Sequence, residues 1–79
     1  MPPEDIKEKL QHRPFVPFRI VLTDGTVYEV RHPELLLLGK RSLVIGLAGD
    51  PDDTVYDRYV TVALLHITRI EPSQPSAVS

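Results

Sequence analysis

The chain is 79 residues long, 42% hydrophobic and 25% charged, with no cysteine, no tryptophan and a formal net charge of −2. That length holds one small domain, and without cysteine neither a disulfide framework nor a thiolate zinc site can support it. The charge balance gives no global attraction to phosphate backbones or anionic membranes, and a cysteine-free chain opening Met1-Pro2-Pro3-Glu4-Asp5, with no basic or apolar leader, is expected in the cytoplasm.

In chain order, Ile6 and Leu10 lie four apart within Glu4 to Gln11 and form a single apolar stripe, which predicts a short helix over about 3–12. Pro2 and Pro3 precede it where a missing N–H costs little, Glu4 and Asp5 suit the first turn's dipole, and Pro14 forbids continuation.

From Val16 the period becomes two, with Val16, Phe18, Ile20 and Leu22 on one face, and Asp24-Gly25 marks a turn. A two-residue loop would pair Ile20 with Glu29 and Phe18 with Arg31, setting charge on the apolar face. A three-residue loop of Thr23, Asp24 and a left-handed Gly25 instead pairs Ile20 with Tyr28, Phe18 with Val30 and Arg19 with Glu29. The second register buries one face and predicts an Arg19–Glu29 ion pair on the other.

His32-Pro33-Glu34 then ends the pairing and begins one helical turn, followed by Leu35, Leu36, Leu37 and Leu38 without polar alternation, a segment that needs cover on both sides or forms an interface. Gly39-Lys40-Arg41 is a polar turn before a strand from Ser42 to Leu47. Ala48 to Thr54, holding Gly49, Asp50, Pro51, Asp52 and Asp53, is a loop; Val55 to Val62 is strand-like. Ala63 to His66 makes a tight turn and Ile67 to Glu71 a last strand ending at Pro72, so residues 1–72 form the domain and 73–79 a disordered tail.

The expected fold is mainly β (α+β): one short N-terminal helix and about five antiparallel strands curled into a small barrel. The order of elements is similar to Sm-like or Src-homology-3-like barrels. The run Arg13-Pro14-Phe15-Val16-Pro17-Phe18-Arg19-Ile20-Val21-Leu22-Thr23-Asp24-Gly25, with Val30-Arg31-His32-Pro33-Glu34 and Leu64-Leu65-His66-Ile67-Thr68-Arg69-Ile70-Glu71, resembles a group of small, mostly uncharacterised bacterial proteins across most of residues 4–71. That resemblance implies a single domain and no particular activity.

Candidate chemistry is sparse. His32 beside Glu34 has the pairing that general-base work uses, but His32 closing a strand and Glu34 charging the next turn account for the same residues. His12, His32 and His66 lack the i, i+2 or i, i+4 spacing of paired ligands, and Asp50, Asp52, Asp53 and Asp57 lack the glycine and distal glutamate of a hand-type calcium loop. No nucleophile-elbow or phosphate-cradling motif occurs, so neither an enzyme nor a cofactor is expected.

Charge is uneven. Residues 13–41 carry five basic against three acidic side chains, or +2, whereas residues 42–79 carry two against five, or −3. Arg13, Arg31, Lys40 and Arg41 are therefore the candidate contacts for an alternative function, Sm-like binding of single-stranded nucleic acid. The leading expectation is a self-associating interaction or scaffold module, since Leu35, Leu36, Leu37, Leu38, Val21, Val27 and Val44 exceed what one small barrel covers and open strand edges invite pairing.

Overall fold

The computed structural model describes residues 1–73, so the expected tail lies outside the described residues except for Ser73, whose N–H donates to the Pro17 carbonyl at 3.1 Å. Helix α1 (Pro3–Gln11) begins with proline at its first position and Glu4 and Asp5 in its first turn. Beyond its end, the Arg13 guanidinium donates to the Leu10 and His12 carbonyls at 2.8 and 2.9 Å and so satisfies acceptors the last turn leaves open.

Six strands follow: β1 (Phe18–Leu22), β2 (Val27–Val30), β3 (Leu36–Leu38), β4 (Ser42–Leu47), β5 (Arg58–Ala63) and β6 (Ile67–Pro72). They form two three-stranded antiparallel sheets, ordered β2-β1-β6 and β3-β4-β5, in place of the expected closed sheet of about five strands. The additional strand is the leucine segment. Pro33–Leu35 forms a 3₁₀ turn, closed by the Leu35 N–H on the His32 carbonyl at 3.1 Å, and Leu36–Leu38 then pairs with Leu43–Ile45.

The hairpin follows the three-residue register, with Phe18 opposite Val30, Arg19 opposite Glu29 and Ile20 opposite Tyr28. Gly25 has φ of 91°, a backbone state that excludes most side chains, and Asp24 Oδ1 accepts the Thr26 N–H at 2.9 Å. The expected Arg19–Glu29 ion pair does not form. Arg19 Nη2 instead lies 3.3 Å from Glu71, a partner available because β1 is central and β6 flanks it, and Glu29 lies 3.6 Å from Arg31, two residues along its own chain.

Between β1 and β6 the register slips. Ile20 faces Ile70 and Val21 faces Arg69, but Leu22 faces Ile67, leaving Thr68 as an extra residue on β6. This bulge returns Ile67 to the interior although it lies three residues from Ile70. The core joins both sheets and the helix: Ile6, Phe18, Ile20, Val30, Leu36, Leu43, Ile45, Val62, Leu64 and Ile67 are all buried in one cluster. Of the inward row expected on β1, Phe18 and Ile20 reach it, whereas Val16 is 45% exposed ahead of the strand.

Candidate interaction surface

The sheet β3-β4-β5 turns Leu36, Leu43, Ile45 and Val62 inward, so its alternate residues make the outer face. There Leu37 is opposite Val44, Val44 opposite Thr61, and Gly46 opposite Tyr59. A groove of about 390 Å³ runs over this face, with Gly46 as floor and Leu35, Leu37, Val44, Tyr56 and Tyr59 as walls. Leu37, Tyr56 and Tyr59 are 71%, 56% and 63% exposed, and Glu34 sits at the rim.

Gly46 shapes that floor. A Cβ there would lie 3.0 Å from Tyr56 Cβ, 3.2 Å from Tyr56 Cγ and 3.3 Å from Leu35 Cδ2, so the bare backbone lets the tyrosine and the leucine close over it. The Tyr56 and Tyr59 rings stand perpendicular, at 89° with centroids 6.4 Å apart, in the edge arrangement that aromatic pairs prefer. Tyr56 is held at the end of a loop built on aspartates: Asp50 Oδ1 accepts the Asp52 N–H and Asp53 Oδ1 the Val55 N–H, each at 3.0 Å. The Asp57 N–H then donates to the Leu47 carbonyl at 3.1 Å and starts the return into β5.

The residues expected at an interface separate. Leu35, Leu37 and Val44 meet in the groove; Leu36 belongs to the core and Leu38 packs half-buried against it. Val21 is 7% exposed between its register partners Val27 and Arg69 and offers no surface, while Val27 lies half exposed on the other sheet. The leucine segment is thus covered on one side only: alternation turns Leu36 in and Leu37 out. Sequence reasoning missed Tyr56 and Tyr59. The available signal was Tyr59, which shares its alternation with Asp57 and Thr61, a polar row where a large aromatic is out of place.

The four expected nucleic-acid contacts are differently placed. Arg13 is engaged with the end of α1, and Arg31 with Glu29 at 3.6 Å and Asp52 at 3.9 Å. Lys40 and Arg41 lie in the β3–β4 turn, where the Arg41 carbonyl accepts the Leu64 N–H at 2.8 Å. His32 Nε2 donates to the Pro51 carbonyl and His12 Nδ1 to the Pro14 carbonyl, both at 3.0 Å. Among the described residues no three His, Asp or Glu side chains are grouped to hold a metal ion, and no helix is long and apolar enough to cross a membrane.

Two carboxylates are held below their usual range. Glu71 is lowered chiefly by the hydrogen bond from Arg69, at 2.7 Å, with the charges of Arg69 and Arg19 adding to it. Asp24 is lowered chiefly by the Thr26 backbone N–H. Both belong to β-turn and sheet architecture, away from the groove. Comparison of the chain with models of protein families, with curated proteins and with solved structures gives no match.

Proposed function

We propose that this chain is a non-catalytic interaction module that associates with a second copy through the free edge of β5, beside the outer face that carries Leu37. The observation supporting this reading is β5 itself. It is six residues long and, among the described residues, pairs only with β4. The other free edges carry the features that discourage strand addition: β2 is four residues long with Glu29 inside it, β6 holds Arg69, Glu71 and Pro72, and β3 is three residues long. After Arg58, β5 reads Tyr59-Val60-Thr61-Val62-Ala63, with neither charge nor proline.

An antiparallel pair of β5 strands about a two-fold axis at Val60 sets Tyr59 opposite Thr61 and Arg58 opposite Val62 of the second copy, so no like charges meet. The sheet then runs through six strands and the two outer faces lie side by side. Sedimentation equilibrium at hundreds of micromolar is expected to give a dimer. Thr61→Lys, which sets an ammonium group in the middle of the edge at an exposed position, is expected to give a monomer. A monomer from the unaltered chain at those concentrations overturns the reading.

A further inference from the structure

We infer that the groove over Gly46 receives a short extended peptide in which an aliphatic residue stands beside a lysine or arginine. This inference rests on a different observation from the pairing of β5, the groove on the face of the sheet, although the two share Tyr59.

The apolar half of the argument is the groove's shape. At about 390 Å³ it falls at the low end of the range for ligand clefts and holds a few side chains, too little for a helix about 10 Å across. Its walls are aliphatic and aromatic, and perpendicular tyrosines leave ring face open to a cation as well as to an aliphatic chain.

The polar half is charge. A second depression of about 230 Å³ continues from the groove, sharing Leu35 and Gly46 with it. The two together are lined by four carboxylates, Glu34, Glu29, Asp50 and Asp53, against two guanidinium groups, Arg31 and Arg58. Arg31 and Glu29 pair with each other at 3.6 Å, which leaves Glu34, Asp50 and Asp53 against Arg58. An arriving side chain therefore meets an excess of negative charge around an apolar floor, which favours a cation next to an aliphatic group and disfavours an acidic partner. The same charge argues against a second copy as occupant, because stacking two such faces brings two acidic rims together.

Fluorescence anisotropy with three labelled peptides tests the assignment: a leucine pair flanked by arginines, the same pair flanked by glutamates, and a glycine-serine core flanked by arginines. The first is expected to bind about tenfold more tightly than either other, a difference of about 1.4 kcal/mol. Leu37→Ala and Tyr59→Ala, both at exposed positions that leave the core intact, are expected to weaken it about fivefold or more. Glu34→Lys is expected to erase the preference for arginine over glutamate. Equal binding of the glutamate peptide overturns the inference, and so does equal binding of the glycine-serine peptide, since charge alone would then suffice. Thr61 faces the groove wall Val44, so the two ideas are separated with Thr61→Glu, which charges the β5 edge without repelling an arginine peptide: affinity at least equal to that of the unaltered chain shows a groove that works without the dimer, and loss of binding overturns the inference.

Discussion

A Cβ built on Gly39 would lie 2.8 Å from the carbonyl oxygen of Ser42, the same oxygen that accepts the Gly39 N–H at 2.8 Å. The neighbour is backbone, so it cannot rotate away, and the β3–β4 turn has to open to admit a methyl group. Gly39→Ala is expected to cost about 1–3 kcal/mol, read as a lower urea midpoint with an unchanged slope. Gly25 differs: nothing lies within 4 Å of its missing Cβ, and glycine is needed there for φ alone. Titration supplies a second expectation at this scale. Glu71 and Asp24 both have folded values below their ordinary ones, so the stability they contribute is complete above the unfolded values of 4.5 and 3.8 and is lost as pH falls through the folded values. Thermal unfolding followed from pH 7 to pH 3 is expected to decline on the acid side, and Glu71→Gln to flatten that decline. An unchanged acid slope in the variant would show that the Arg69–Glu71 pair contributes nothing, as many exposed pairs do.

Elements differ in how much of them sequence alone conveys, and the division follows the range of the interaction. The β1–β2 hairpin was readable to the residue pair, because Gly25 permits one three-residue loop and only that loop sets Ile20 on Tyr28 and Phe18 on Val30. Both tight turns were readable from Pro33 and from the packed Leu64-Leu65-His66 step. What depends on a third strand was not. Arg19 pairs with Glu71 and not with Glu29, a partner that exists only because β6 lies on the far side of β1, which no local pattern announces. The bulge at Thr68 shifts the inward positions of β6 from alternate residues to Ile67 and Ile70, so strict alternation misjudges that strand. The leucine run read as one uniform apolar segment, whereas three of its residues form an edge strand whose alternation buries Leu36 and exposes Leu37. The groove was half visible for the same reason: Leu35, Leu37 and Val44 stood out as surplus apolar residues, but Tyr56 reaches Gly46 only through a nine-residue excursion from Leu47 to Asp57 whose path the aspartate turns decide.

For the whole molecule, size sets the terms. Net stability for 79 residues is of order 4–12 kcal/mol, and the core has to be shared between two sheets and a helix of which Ile6 is the one fully buried residue. A monomer of this kind keeps Tyr59 and the free edge of β5 in water, and association through that edge couples stability to concentration. If β5 pairs with its copy, each tenfold rise in protein concentration adds about 1.4 kcal/mol per dimer to the folded side, enough to raise the unfolding midpoint by a few degrees for a chain of this length. Scanning calorimetry from tens to hundreds of micromolar is therefore expected to show a midpoint that climbs with concentration in the unaltered chain and stays level in Thr61→Lys. A level midpoint in both would mean that the two small sheets and their helix hold the fold unaided, and that the exposed edge of β5 tolerates water without needing a partner.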